Sequence, residues 1–136
     1  MDLDHKEKYD VIIVDAPCSA VGTIRKNPEI FFKNNGPDFS SLNILQEKML
    51  QKASGLLNKN GFIVYMVCSF LKIETEDQIN KFLEYNDNFQ LSNFFLLEEN
   101  NNYTRFIKND FMKTLPDTIL DYKIDGYFAA LLRKVK

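Results

Sequence analysis

Glycine is scarce in this 136-residue chain: there are five, Gly22, Gly36, Gly55, Gly61 and Gly126, and no two are separated by a single residue. Without a Gly-x-Gly step there is no loop of the kind that cradles a phosphate or an adenosine against bare backbone. Cysteine is scarcer still. Cys18 and Cys68 lie far apart, with no Cys-x-x-Cys pair and no histidine cluster near them, which argues against zinc, so no metal is expected. The single histidine, His5, is read as inert. No run of apolar residues is long enough to span a bilayer, and Met1 to Tyr9 is too polar for a secretory signal. The expected location is the cytoplasm, where a disulfide between the two cysteines is not expected. An excess of one charge sign is lacking too: the net charge is -2 and the pI near 5.4. That excludes the broad basic footprint of a non-specific nucleic-acid binder, so any RNA contact must be local.

What is present suffices for a core. With 45% hydrophobic and 13% aromatic residues, the chain reads as part or all of one globular domain. Tyr9 to Val14 is a continuous apolar run ending at Asp15 and Pro17, which suits a strand buried on both faces of a parallel sheet. Ala16 to Ser40, rich in Pro, Gly, Asn and Lys, reads as a long functional loop with one helical turn near Asn27 to Phe32. From Ser41 to Leu57, Leu42, Leu45, Met49, Ala53, Leu56 and Leu57 recur at helical spacing, and Asn58 to Gly61 supplies turn chemistry to end that helix. Phe62 to Val67 is a second strand, and Ile79, Phe82 and Leu83 mark a helix from about Thr75 to Tyr85.

The later stretch is less marked. Phe89 to Leu97 is read as a strand, Asn100 to Asn102 as a polar turn, Tyr103 to Leu115 as ambiguous and Tyr127 to Leu132 as the last strand. No internal repeat is present. A strand that returns through a helix to another strand makes a right-handed parallel crossover, which puts Cys18 and Cys68 at carboxyl ends. Open α/β sheets bind ligands there, and neighbouring strands are only about 5 Å apart, so the two cysteines can face one pocket.

Asp15-Ala16-Pro17-Cys18-Ser19 with Gly22, and then Tyr65-Met66-Val67-Cys68-Ser69, resemble the two signature segments of the RNA cytosine-5 methyltransferases, most closely the bacterial ribosomal RNA enzymes of the Sun/Fmu type. The likeness extends through Gly22 to Ile30, Leu45-Gln46, Glu74, Gln78-Ile79 and Asp125-Gly126-Tyr127-Phe128-Ala129. It implies an α/β fold: the carboxyl-terminal half of a Rossmann-like, class I S-adenosylmethionine-dependent methyltransferase, with parallel strands and an antiparallel carboxyl-terminal strand pair. It implies S-adenosylmethionine as cofactor and RNA as partner.

By the same resemblance Cys68 is the nucleophile, Cys18 assists product release, and Asp15 borders both the methyl donor and the target base. Chemistry explains the need for a thiol, because cytosine C5 attacks a methyl group only after a thiolate has added to C6. Pro17 is expected to shape the turn and offer its carbonyl to the cytosine amine. Arg25, Lys26 and Lys33 are candidates for RNA phosphates. Blander roles compete: a small buried hydrophobe for either cysteine, a turn cap for Asp15, a solvated loop for the cations, a tight turn for Gly126 and core for Tyr127-Phe128.

The chain departs from the family in two ways. Val67 stands where a threonine precedes the nucleophile, and the Gly-rich donor-binding half expected before Tyr9 has only eight residues in its place. The chain is therefore expected to work with a separate donor-binding half, as a truncated product, an excised piece or part of a split enzyme. The alternative is an inactive remnant that keeps an interaction role. An unpaired edge on the Tyr9 to Val14 strand is expected to make the isolated chain associate.

Overall fold

A computed structural model of the chain describes residues 7–32, 36–94, 104–119 and 122–136. His5, Lys33 and Asn100 to Asn102 lie outside the described residues.

The first apolar run is strand β1, Tyr9–Asp15, and the second is β2, Leu57–Val67; they pair in parallel, Val11 against Phe62 through Asp15 against Met66. Between them run the long loop, with short 3-10 turns at Val21–Thr23 and Pro28–Phe31, and helix α1, Phe39–Leu56. Asp38 caps α1: its carboxylate accepts from the Ser41 N–H at 3.1 Å and the Ser41 hydroxyl at 2.6 Å. After β2 come helix α2, Glu76–Tyr85, and strand β3, Phe89–Ser92. The ambiguous stretch resolves into a small hairpin of β4, Ile107–Lys108, and β5, Phe111–Lys113. β6, Asp117–Ile119, and β7, Tyr122–Ile124, pair with each other apart from the main sheet. β8, Phe128–Lys134, closes the chain.

The main sheet runs β1-β2-β8-β5-β4, with β3 sharing the far edge of β8. β8 is antiparallel to β2, β3 and β5. The expected α/β fold with a parallel pair and an antiparallel carboxyl-terminal part is the fold observed.

One sheet face holds the core. Ile63, Tyr65 and Val67 alternate inward from β2 and meet Leu132, Ala130 and Phe128 across the antiparallel ladder, all fully buried. Leu50 and Ala53 of α1 and Ile79 and Phe82 of α2 cover them. Tyr65 and Phe128 meet edge to face at 6.4 Å between centroids.

Two expectations need correction here. Asn58 to Gly61 does not end α1 with a turn. The helix passes directly into extended Leu57, and the residues between Leu57 and Phe62 loop out of the ladder as a bulge, with Asn60 left-handed at φ 64°. A distant donor serves the end of α1 instead: Lys134 Nζ reaches Ser54 O in its last turn at 3.1 Å and Leu57 O just past it at 3.0 Å. Nor is β1 buried on both faces. Val14 packs into the core, but Val11 and Ile13 are 57% and 66% exposed, because no described element covers the second face.

Candidate functional site

The parallel ladder continues one step past β1, where the Ala16 N–H donates to Met66 O at 3.0 Å. This pins the Pro17-Cys18-Ser19 turn beside the end of β2. Gly22 returns to the same strand end, its N–H donating to Cys68 O at 3.0 Å, and the Gly126 N–H donates to Gly22 O at 2.7 Å. Gly126 therefore serves close backbone approach rather than a left-handed turn. A Cβ on Gly22 would lie 1.9 Å from Gly126 O, and one on Gly126 2.9 Å from Gly22 Cα, so the backbone itself would have to shift.

Held in this way, the two cysteines meet: Cys18 Sγ lies 3.3 Å from Cys68 Sγ, both half-buried and both free thiols. Residues far apart in the sequence share one spot because their strands are neighbours. Burial pushes the Cys18 thiol up to about 12, helped by its hydrogen bond to Cys68 and by the nearby Glu74 charge, and only the Ala20 N–H pulls the other way. At neutral pH Cys18 is a protonated thiol touching the Cys68 sulfur. A cavity of about 400 Å³ opens at Cys18, walled by Ile30, Pro37, Asp38 and Leu42.

Since the folded Cys18 value lies above the ordinary 9.0, its contribution to stability is whole below about pH 9 and is lost as pH rises toward about 12. Buried Tyr65 is shifted in the same direction by burial and by Glu74, so Cys18→Ala removes part of the effect. Melting temperature should fall between about pH 9 and 11, and less steeply in Cys18→Ala. Parallel slopes in the two proteins would sink the expectation.

The other candidate residues are placed around this pair. Asp15 is exposed at the end of β1, and no described donor reaches its carboxylate. The Pro17 carbonyl already accepts from Gln46 Nε2 at 2.9 Å, leaving one lone pair. Arg25 and Lys26 both pair with Asp125, at 3.0 Å and 2.6 Å, on a carboxylate whose side chain is 6% exposed. Lys26 first and Arg25 second hold Asp125 below the usual carboxylate range. Val67 is fully buried in the core opposite Phe128. Phe128 is core as expected, but Tyr127 is 40% exposed and is not. Among the described residues no cluster of three His, Cys, Asp or Glu could hold a metal, and no helix is long and apolar enough to cross a membrane.

Sequence reasoning quoted Glu74 and Gln46 but assigned them no part. Glu74 is fully buried and accepts from the Ser19 N–H at 2.7 Å, the Ser19 hydroxyl at 2.6 Å and the Ser69 hydroxyl at 2.6 Å. The legible signal was Gln46 itself, a polar residue at core spacing between Leu42 and Leu50.

Two thiols at the carboxyl ends of adjacent parallel strands place the chain among Rossmann-like α/β proteins with a paired-cysteine site. Comparison with known proteins agrees. The sequence profile of the family described as 16S rRNA methyltransferase RsmB/F matches residues 1–133. Ribosomal RNA small subunit methyltransferase B of Pasteurella multocida is 42% identical over 58% of the chain, and the probable enzyme of that name from Bacillus subtilis 27% identical over 94%. The matched stretches are only 18% and 28% of those proteins. Among solved structures, PH0851 superposes with a TM-score of 0.74 at 31% identity, covering 92% of this chain and 26% of that one. NSun6 from Pyrococcus horikoshii, solved with SFG, an S-adenosylmethionine analogue, has the same fold, with a TM-score of 0.73 at 22% identity over 100% of this chain and 34% of that one. The chain belongs to the RsmB/F family of 16S rRNA methyltransferases.

Proposed function

We propose that the chain carries the catalytic half of an S-adenosylmethionine-dependent enzyme that methylates C5 of cytosine in RNA, with ribosomal RNA as the substrate class. The observation that supports this most is the 3.3 Å approach of Cys18 and Cys68. A covalent route needs one sulfur to attack and a second group beside it to manage departure. The Cys68 thiolate adds to C6 and pushes electron density onto C5, which then accepts the electrophilic methyl that S-adenosylmethionine supplies when bound. Solvent water takes the C5 proton, the C5–H electron pair re-forms the C5–C6 double bond, and Cys68 departs as thiolate. Cys18, a protonated thiol in contact with that sulfur, helps release it.

In this reading Asp15 accepts from the exocyclic amine of cytosine, a donor that uracil lacks. The free lone pair of Pro17 O can share that amine. Arg25, Lys26 and the Asp125 carboxylate they share carry one net positive charge between them, and Glu29 follows in the same loop, so the two cations supply a modest phosphate attraction rather than a strong clamp. For the methyl donor the described residues fit only in part: Asp15 offers a carboxylate beside the open apolar strip of Val11 and Ile13, and no glycine-rich cradle is present. A donor-binding half outside the described residues is the partner this implies.

The test uses the chain together with that donor-binding half. Cys18→Ala should accumulate a denaturation-resistant complex with RNA containing ordinary cytosine, because addition proceeds while elimination is impaired. Normal turnover and release by that variant would remove Cys18 from the reaction. No adduct from any variant, even with 5-fluorocytosine RNA, would favour an inactive remnant.

A further inference from the structure

Glu74 has no place in the chemistry above, yet it is the most heavily bonded buried group near the sulfurs. It sits on the short 3-10 turn Lys72–Glu74 after β2, with no exposed surface. One carboxylate oxygen takes the Ser19 N–H and the other takes both the Ser19 and Ser69 hydroxyls. Ser19 follows Cys18, and Ser69 follows Cys68. A single carboxylate thus ties the residue after one cysteine to the residue after the other.

The surroundings make this tie rigid. Gln46 Nε2 stands 3.5 Å from Glu74 Oε1 while bonding Pro17 O, so α1 braces the same turn. The Tyr65 hydroxyl donates to the Glu74 backbone carbonyl at 2.9 Å, fixing the carboxylate's own backbone to β2. Ser69 Oγ also accepts from the Leu71 N–H at 3.2 Å, and the Thr75 hydroxyl donates to Leu71 O at 2.8 Å. The groups facing the carboxylate are Ser19 from the first loop, Gln46 from α1 and Ser69 from the second strand end, with the Cys18 thiol near enough to feel its charge; no described cation pairs with it. An unpaired buried carboxylate is costly unless several good donors hold it, and these donors come from the two segments that must stay together.

We propose that Glu74 is a positioning residue: it binds the Cys18-Ser19 and Cys68-Ser69 segments into one unit and thereby sets the distance between the two sulfurs. The cysteine roles rest on the methyl-transfer reading, but the tie itself does not, and it is tested without RNA or methyl donor. Its charge has a second effect, favouring the protonated form of Cys18.

The experiment measures how readily the two sulfurs join. The chain is equilibrated with mixtures of reduced and oxidised glutathione; the two thiols give up two electrons and two protons, and one oxidised glutathione becomes two reduced ones. Mass spectrometry after alkylation gives the disulfide equilibrium, and alkylation rate against pH gives the Cys18 titration. Removing a partner from a buried hydrogen-bonded group costs enough that Glu74→Ala should weaken disulfide formation by about tenfold or more. Ser69→Ala should weaken it by a few-fold while leaving the Cys18 profile in place. Glu74→Gln keeps the shape but not the charge, so it should move the Cys18 profile to lower pH with little change in the disulfide equilibrium. A merely structural carboxylate would lower the melting temperature without moving that profile. Should Glu74→Ala fail to melt cooperatively, the other two variants decide. A disulfide equilibrium unchanged in Ser69→Ala overturns the proposal, whatever the Cys18 profile of Glu74→Gln.

Discussion

With RNA bearing 5-azacytosine, and with a donor-binding half supplied, the Cys68→Ala chain should form no covalent adduct at all, while the unaltered chain is trapped. The expectation is all or none because thiolate addition to C6 creates the nucleophilic carbon, and the adjacent Ser69 hydroxyl is buried and given to Glu74. Cys18 is the one other thiol, 3.3 Å away, but burial first, and the Glu74 charge with it, keep it protonated at neutral pH. A denaturing gel with labelled RNA decides the matter. Trapping by Cys68→Ala and none by Cys18→Ala would mean that the two roles are exchanged.

Gly22→Ala should be nearly as damaging to stability as Cys68→Ala is to chemistry. A Cβ at Gly22 would lie 1.9 Å from Gly126 O and 2.9 Å from Cys68 O; Cys68 O is held by the Gly22 N–H, and the Gly126 backbone by its own N–H on Gly22 O. Rotamer changes cannot relieve such a clash, so the loop, the approach to β8 or the end of β2 must move. Overpacking of this severity costs about 3 kcal/mol or more, and melting temperature should fall by roughly 10 °C. Gly55→Ala is the control: it lies within α1, nothing comes within 4 Å of an added Cβ, and it should stabilise by roughly 0.5 kcal/mol through helix propensity. Thermal melts followed by circular dichroism measure both. A Gly22→Ala protein that melts with the unaltered chain would mean that the backbone crossing at Gly126 is looser than it stands here.

The elements that were legible in the sequence are those whose signal is local. Tyr9 to Val14 and Phe62 to Val67 are strands because β-branched and aromatic residues dominate them, with Asp10 and Met66 the exceptions. α1 shows its 3.6-residue stripe, and α2 follows Thr75 as expected. The same local reading put each cysteine just past a strand, and the crossover rule made those strands parallel neighbours. Asp15 at the end of β1 follows from the same step.

Whatever depends on partners far along the chain was not legible. The end of α1 was assigned to a nearby turn, yet Lys134 supplies the donor and the turn residues become a bulge. Arg25 and Lys26 read as free cations because Asp125, their shared partner, is a hundred residues away. Gly126 read as a turn because nothing in its own neighbourhood announces that Gly22 crosses against it. The apolar run of β1 told that two faces could be buried but not that only one is covered in the described structure. Sequence alone thus determined β1, β2 and β8, the two helices and the pair of thiols at strand ends, since each rests on periodicity or on the order of neighbouring residues. Only the tertiary structure decided that Glu74 binds the two Cys-Ser segments together. Hydrogen bonds from Ser19 and Ser69 converge on one carboxylate only after α1 and the parallel ladder have folded those segments side by side.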